Sequence, residues 1–258
     1  MDFSLLTYNT LFSDAVSGLQ KIVSSQHPDF LCLQEVDTTE ETFERIEKLG
    51  YKLADYSNVI IQYGHIFGVA TFYNPDKFDF SESKVIFLPK GMLDIFAYLV
   101  RVFKTGKKAR TILRTEFLCK KNKKKLSIYN IHLTPYGTNS IRTKQLQTAL
   151  FDVSRQLQDE ATILTGDFNY PYNRKKLEML MSEYSFKEAT NSILFTTLGA
   201  TPHYTFFGKL LISIISRILK HKLKNDYIFY KNCISIFAKK LDVPYSDHYP
   251  VFAVFKLK

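Results

Sequence analysis

Short apolar runs of strand length recur along the chain, and several of them end in a polar residue. The first runs from Leu5 to Asn9, and the second, Phe30 to Glu35, follows a Pro-Asp turn. Further runs of this kind are Gly68–Tyr73, Ile128–Leu133, Ile163–Thr165 and Asn225–Phe229. Between the runs, helical spacing of apolar residues predicts helices near Asp14–Gln26, Glu40–Leu49, Ser140–Leu157 and Asn173–Glu183. This alternation of strands and helices predicts an α/β fold.

Two tetrapeptides place an acid and a second polar group beside apolar runs. Gly166-Asp167-Phe168-Asn169 follows the run Ile163–Thr165, and Ser246-Asp247-His248-Tyr249 precedes the run that closes the sequence. We expect the second tetrapeptide also to follow an apolar strand, near Val243. Strand ends are where an alternating core releases side chains into a cleft, so these polar residues are candidates for a shared site.

Six fragments in all carry polar groups of this kind. The groups are Asn9, Glu35, His132, Asp167 with Asn169, Asp226, and Asp247 with His248. Taken alone, Asp167 and Asn169 fit an ordinary turn, Glu35 a solvated loop, and His132 a core histidine. Asp226 is less ordinary, because an unpaired carboxylate in an apolar strand is costly to bury. Together the fragments indicate a phosphoester-cleaving metal site whose oxygen ligands suit magnesium and need no zinc cage.

Length and composition are those of one domain. The chain has 258 residues, of which 45% are hydrophobic and 15% aromatic, and no Gly/Ser/Pro-rich linker divides it. We therefore expect a single catalytic domain over residues 1–258. Cys32, Cys119 and Cys233 are far apart in apolar runs, which predicts buried free thiols. Because the start lacks a basic leader, we expect an intracellular location.

The positive charge is concentrated in two segments. Residues 104–125 contribute +9 and residues 209–240 contribute +7, while the remaining chain contributes −6 to a formal net charge of +10. Each segment adjoins an apolar one: residues 92–103 have the pattern of an amphipathic helix, and residues 210–219 are mostly apolar. The second is too short and too interrupted to predict a membrane span. These apolar and basic inserts, near 91–110 and 208–224, predict attraction to polyanions or to anionic lipid surfaces. They are equally compatible with packing on the protein itself.

With its six fragments in order, the chain resembles the endonuclease/exonuclease/phosphatase superfamily. The resemblance extends from Leu5 to Phe255. It implies a four-layer α/β sandwich, in which helices flank two packed mixed β-sheets. It also implies a metal-dependent phosphoric ester hydrolase, since the superfamily includes deoxyribonucleases, abasic-site endonucleases, neutral sphingomyelinases and inositol polyphosphate phosphatases.

The resemblance implies roles for the matching residues. Glu35 would be the principal Mg²⁺ ligand, supported by Asn9 and Asp247, and Mn²⁺ would serve in its place. Asp167 would orient and deprotonate the attacking water, and Asn169 would hold that water or a phosphate oxygen.

The resemblance assigns charge stabilisation to the histidines. His248, paired with Asp226, and His132 would stabilise charge on the phosphoryl oxygens. The family's usual acidic partner for the His132 position is missing from residues 62–68, which leaves the charge of that ring open. Three residues near the motifs, Tyr136, Arg142 and His203, are candidate substrate contacts.

The substrate is open between two classes. The apolar and basic inserts at 92–108 and 208–224 favour membrane phospholipid headgroups and a peripheral position at an anionic membrane. The lysine-rich segments also fit a nuclease or DNA-repair phosphodiesterase. Glu35 continues as Val36-Asp37 and not as the Thr-Lys of abasic-site endonucleases, and the closing motif lacks the Cys-Asp-Arg of inositol phosphatases. A noncatalytic binding module is a third alternative, and no obligate protein partner is implied.

Overall fold

A computed structural model describes residues 1–62, 64–90, 110–135, 138–157, 159–197 and 223–258. The predicted inserts at 92–108 and 208–224 lie outside these residues, except for the end of the second. The expectation of one domain over 1–258 therefore stays a prediction. Within the described residues, no helix is both long enough and apolar enough to cross a membrane.

The described strands form two sheets of six strands each. The first sheet has the order β11-β12-β1-β2-β4-β3. Its strands are β1 (Asp2–Asn9), β2 (Phe30–Asp37), β3 (Lys52–Gln62), β4 (His65–Tyr73), β11 (Cys233–Lys240) and β12 (Val251–Leu257). The second has the order β5-β6-β7-β8-β10-β9. Its strands are β5 (Phe78–Phe87), β6 (Thr111–Cys119), β7 (Lys125–His132), β8 (Ala161–Asp167), β9 (Lys187–Glu188) and β10 (Asp226–Lys231).

Each sheet is mixed, because one internal pair of strands is parallel. The parallel pairs are β1–β2 and β7–β8. The remaining described pairs are antiparallel. Parallel neighbours end at the same edge of a sheet, so the carboxyl ends of β1 and β2, and those of β7 and β8, lie side by side.

Four helices in the described residues cover the outer faces of the sheets. They are α1 (Val16–Gln26), α2 (Glu40–Glu47), α3 (Asn139–Val153) and α4 (Arg174–Glu183). Leu19 of α1 and Phe43 of α2 pack with Leu31 on the first sheet. Leu146 of α3 and Met181 of α4 pack with residues of the second sheet. The predicted helices are confirmed, although α1 begins at Val16 and α3 ends at Val153.

One core lies between the sheets, where alternate residues of both point inward. Phe3, Phe30 and Phe255 of the first sheet meet Phe117 and Ile163 of the second. The rings of Phe30 and Phe117 lie 4.8 Å apart. The fold is therefore a four-layer α/β sandwich of two packed mixed sheets flanked by helices, which confirms the predicted fold class. The three cysteines are buried free thiols, as predicted.

A buried polar contact joins the sheets beneath their carboxyl edges. Gln34 Nε2 of β2 donates to Asn130 Oδ1 of β7 at 2.8 Å. Asn130 Nδ2 in turn donates to the carbonyls of Leu33 and Ala70. Because these hydrogen bonds join fixed positions of β2, β4 and β7, they favour one alignment of the two sheets.

The expected strand near Val243 is wrong. The residues between β11 and β12 form no extended strand, and their described pairing is a single bridge from His248 to Thr197. Val243 N donates to Leu241 O and closes a local turn. This N–H group is therefore not available to pair with a neighbouring strand. Asp247 and His248 therefore lie on a connection leading into β12.

Candidate active site

The polar residues at the strand ends converge where the carboxyl edges of the two sheets meet. Asn9 and Glu35 come from the first sheet, and His132 and Asp167 come from the second. In the second sheet, Asp167 is the register partner of both His132 and Asp226. Asn9 Nδ2 donates to Asp167 Oδ2 at 3.1 Å and so crosses from one sheet to the other. Residues distant in sequence thus form one buried cluster.

Asp167 lies at the centre of this cluster and is 2% exposed. Its Oδ1 accepts from the backbone N–H of Asn169 at 2.9 Å, while its Oδ2 accepts from Asn9. Burial raises the pKa of Asp167 to about 6, with the charge of Asp226 adding to the rise; His248 and the two hydrogen bonds oppose it. The carboxyl group therefore titrates close to neutral pH.

His248 and Asp226 form a buried dyad beside Asp167. His248 Nδ1 lies 2.8 Å from Asp226 Oδ2, and His248 Nε2 lies 3.8 Å from Asp167 Oδ2. Burial works against a charged ring, but Asp226, Asp167, the hydrogen bond with Asp226 and Asp247 outweigh it and raise the pKa of His248 well above its usual value. The ring is therefore an imidazolium at neutral pH and can donate from Nε2.

His132 has the opposite charge state. Its Nε2 lies 3.7 Å from Glu35 Oε1 and 3.7 Å from Asp167 Oδ2. Burial, together with the positive charges of Arg110 and His248, lowers the pKa of His132 well below its usual value. The ring, whose charge the sequence leaves open, is therefore neutral.

Glu35 is placed by a β-bulge in β2. The register of β2 with β4 shifts between Gln34 and Val36, and Glu35 is the extra residue, with φ of 53°. Burial raises the pKa of Glu35 to about 7, and the charges of Asp247 and Asp167 add to the rise. His248 and Arg110 oppose it.

Ser246 joins the connection before β12 to the end of β1. Its hydroxyl donates to Asn9 O at 2.7 Å and accepts from His248 N at 3.1 Å. Asn9 Oδ1 is held as well, since it accepts from the backbone N–H of Leu11 at 3.1 Å. The side chain of Asn9 is thus oriented by neighbouring backbone, and Ser246 holds the backbone of His248 beside the end of β1.

The donor set fits a hard divalent cation. Glu35, Asp167 and Asp247 form a cluster whose charges raise the pKa of Glu35, and a bound cation would neutralise this excess of negative charge. Among the described residues, Asp167, Asp226 and His248 also have ligand atoms within 4.8 Å of one another. A protonated His248 bonded to Asp226 has no lone pair for a metal, so a cation at these three residues would require a neutral ring. The ligand set Glu35, Asn9 and Asp247 stays a prediction.

Arg110 is a site residue that the sequence does not single out. Its Nη1 donates to Leu133 O at 3.3 Å, the same carbonyl that accepts from Asn169 Nδ2 at 3.1 Å. Its charge acts on the pKa of both Glu35 and His132. In sequence it is one of ten basic residues in 104–125, and nothing local distinguishes it from the others.

Arg142 is the one predicted substrate contact among the described residues. It is 5% exposed, and its guanidinium donates to Thr134 O, Pro135 O and Asn139 Oδ1 at 2.8–2.9 Å. These bonds hold the loop that follows His132. Tyr136 and His203 lie outside the described residues.

Comparisons with solved structures identify proteins of the same fold. The human Nocturnin catalytic domain with bound sulfate has a TM-score of 0.72 at 17% identity, covering 100% of this chain and 95% of that chain. A mannosyl-6-phosphatase from Bacteroides thetaiotaomicron has a TM-score of 0.68 at 17% identity, with 98% and 99% covered. D. rerio TDP2 complexed with a single-strand DNA product has a TM-score of 0.66 at 14% identity, with 99% of each covered. At these identities the likeness shows the fold alone.

The family follows from the sequence profile. Among curated proteins, none shows significant sequence similarity to the chain. The profile of the Endonuclease/Exonuclease/phosphatase family matches residues 6–248, which is nearly the whole chain. This match confirms the family that the six fragments predict. The chain belongs to the endonuclease/exonuclease/phosphatase family.

Proposed function

We propose that the chain is a magnesium-dependent phosphoester hydrolase in which a metal-activated water attacks phosphorus. The observation that carries this proposal is the buried position of Asp167 between Asn9, Asn169 and the His248–Asp226 dyad. A carboxylate base, a cationic donor and further carboxylates within one cluster are what hydrolysis of an anionic phosphoester needs.

Glu35, Asn9 and Asp247 would hold the cation. Their carboxylate and amide oxygens suit Mg²⁺, with Mn²⁺ as a substitute of similar chemistry. When bound, the cation would polarise a nonbridging oxygen of the substrate and offset negative charge in the cleft.

Asp167 would orient and deprotonate the water. A base works best when its pKa lies near the working pH, and burial brings the pKa of Asp167 to about 6. Asn169, whose backbone N–H already holds Asp167, would hold the same water or a phosphate oxygen. We infer a single displacement with no covalent intermediate on the protein.

The two histidines would act in different charge states. His248, kept protonated by Asp226, would donate from Nε2 to a phosphoryl oxygen or to the leaving oxygen. His132, being neutral, would contribute one N–H donor and no net charge. Arg110 brings further positive charge to the same cluster.

Membrane phospholipid headgroups are the substrate class favoured by the sequence. The support is the apolar and basic composition of residues 92–108 and 208–224. The nucleic-acid alternative is supported by one similar structure, that of D. rerio TDP2 with a single-strand DNA product. If the substrate is a membrane phospholipid, we expect the protein to be intracellular and peripherally bound to a membrane; the nucleic-acid alternative does not imply this position.

The test is phosphoester cleavage with Mg²⁺ or with EDTA, across phospholipid vesicles, single-stranded and duplex DNA, and a soluble phosphomonoester and diester. We expect turnover that EDTA abolishes. Turnover of vesicles alone would support the lipid class, and cleavage of DNA alone would replace it with the nuclease class.

Substitutions at Asp167 and His248 test the catalytic roles proposed for these residues. We expect Asp167→Asn and His248→Ala each to lower turnover at least about 100-fold, because a positioned base or a charge-stabilising donor is lost. Asp159→Asn is the matched control, since Asp159 is exposed and precedes the opposite end of β8. Near-full activity in both variants would show that the proposed active site is wrong.

A further inference from the structure

The chain after Asn9 has an unusual backbone. Leu11, Phe12 and Ser13 have φ of 48°, 53° and 69°, so three consecutive residues other than glycine are left-handed. Such a conformation is strained in residues other than glycine and persists only where surrounding contacts hold it. The contacts made by this left-handed turn (residues 11–13) are therefore informative.

The left-handed turn supplies the hydrogen bonds that the bulge in β2 lacks. Strand β1 pairs with β2 only as far as Asn9 with Gln34, and the bulge at Glu35 breaks the ladder with β4 on the other side. Ser13 N donates to Glu35 O at 3.0 Å, and Ser13 Oγ accepts from Asp37 N at 2.6 Å. One residue thus satisfies the backbone on both sides of Val36.

The same turn also reaches the end of β1. Leu11 N donates to Asn9 Oδ1 at 3.1 Å, which leaves Asn9 Nδ2 directed at Asp167. The turn therefore contacts both first-sheet residues, Asn9 and Glu35, whose oxygens would bind the cation.

We infer that Ser13 is a positioning residue for the metal site: it holds the Glu35 bulge in the conformation that presents the carboxylate to a divalent cation. This inference rests on the proposed function. Residues that orient metal ligands without touching the metal typically change metal affinity about 10- to 100-fold when they are lost.

Glycine at position 13 separates positioning from folding. Ser13→Gly removes the hydroxyl and with it the acceptor for Asp37 N. Because glycine adopts positive φ without strain, the same change relieves the backbone cost at this residue. The relieved strain should offset the loss of the hydrogen bond with Asp37 N, so we expect Ser13→Gly to bind metal more weakly without loss of thermal stability. Ser13→Ala removes the hydroxyl and keeps the strain.

The experiment measures Mn²⁺ affinity by electron paramagnetic resonance of free Mn²⁺, together with Tm in EDTA. The variants are Ser13→Gly, Ser13→Ala, Glu35→Gln and the control Ser17→Ala. Ser17 is exposed, lies four residues along the chain, and donates to Asp14 O only within its own turn. We expect both Ser13 variants to lose about 10-fold or more in affinity. In EDTA, the Tm of Ser13→Gly should be equal to or above that of the wild type.

Each outcome decides between the two claims. If Glu35→Gln loses Mn²⁺ but the Ser13 variants bind like the wild type, the positioning role is wrong and the proposed function stands. If Glu35→Gln binds like the wild type, the proposed metal site itself is wrong. A loss of affinity in Ser13→Gly that comes with a lowered Tm, or that Ser17→Ala shares, would also overturn the inference.

Discussion

The acid and the base of the proposed site are set by the surroundings of single residues. Burial raises the pKa of Asp167 to about 6, so its carboxyl group is deprotonated above that pH. The dyad raises the pKa of His248 well above its usual value, so the imidazolium persists on the alkaline side of neutrality. The pKa of the base, Asp167, lies below neutral pH, and the pKa of the acid, His248, lies above it. Near neutral pH, Asp167 is therefore deprotonated while His248 is protonated, as catalysis requires.

Asp226→Asn tests the source of this window. Removing the carboxylate removes the nearest charge that favours the imidazolium, while burial continues to oppose it, so the pKa of His248 should fall. We expect the alkaline limb of the kcat/KM profile to move to lower pH. The His248 ring titration, followed by NMR, should move in the same direction.

A second histidine–aspartate pair provides the control for Asp226→Asn. His65 Nδ1 lies 2.9 Å from Asp37 Oδ2, and the His65 side chain is 59% exposed. Asp37→Asn should leave the alkaline limb in place. An unmoved limb in Asp226→Asn would show that a group other than His248 sets it.

At the scale of elements, helix α1 holds the connection that carries Asp247 and His248. A Cβ placed on Gly18 of α1 would lie 2.3 Å from Cδ2 of the Tyr245 ring, so the helix and this connection touch without room for a methyl group. Tyr245 directly precedes Ser246, which bonds to Asn9 and His248. The close contact between Gly18 and Tyr245 therefore helps to position Ser246, and through it Asn9 and His248.

Gly18→Ala should destabilise the protein even though alanine is the better helix former. Alanine would favour an isolated helix by about 1 kcal/mol, but overpacking a buried contact costs about 1–3 kcal/mol. We expect a lower free energy of unfolding and, because Tyr245 must move, reduced turnover with a raised KM. Denaturant unfolding and steady-state kinetics measure the two effects.

An exposed position on the same helix is the control. Ser17→Ala adds helix propensity on the exposed face of α1 and should leave turnover unchanged. A Gly18→Ala protein that is more stable and fully active would show that Tyr245 can move without cost.

Periodicity predicts the elements well and their irregularities poorly. The apolar runs predict β1, β2, β4, β7, β8 and β10, because strands buried on both faces are apolar throughout. Helical spacing predicts the four described helices, because each buries one face. The bulge at Glu35 and the left-handed turn at Leu11–Ser13 leave no such trace, since neither contains glycine. Both depend on contacts between segments about 22 residues apart or more, as in Ser13 with Glu35 and Asn9 with Asp167.

At the scale of the whole molecule, the proposed cation lies where two independent sheets meet. Asn9 and Glu35 belong to the first sheet, Asp167 to the second, and Asp247 to the connection before β12. Without a cation, buried carboxyl groups lie close together at this junction. Burial first, and then the charges of neighbouring carboxylates, raise the pKa values of Glu35 and Asp167. Because these values exceed those of an unfolded chain, both groups make the metal-free fold less stable as pH rises through about 4 to 7.

Metal binding should therefore stabilise the whole protein, and more so at higher pH. At a Mg²⁺ or Mn²⁺ concentration of about 100 times Kd, linkage contributes about 2.7 kcal/mol, which for a chain of this size raises Tm by roughly 5–10 °C. At pH 8 Glu35 and Asp167 are already deprotonated, whereas at pH 6 protons compete with the cation, so the rise in Tm should be larger at pH 8. Differential scanning calorimetry with metal or with EDTA measures the rise at each pH. Glu35→Gln should be more stable than the wild type in EDTA and should lose most of the metal-dependent rise. A Tm that metal does not change at pH 8, in a protein that remains active, would contradict a cation held between the two sheets.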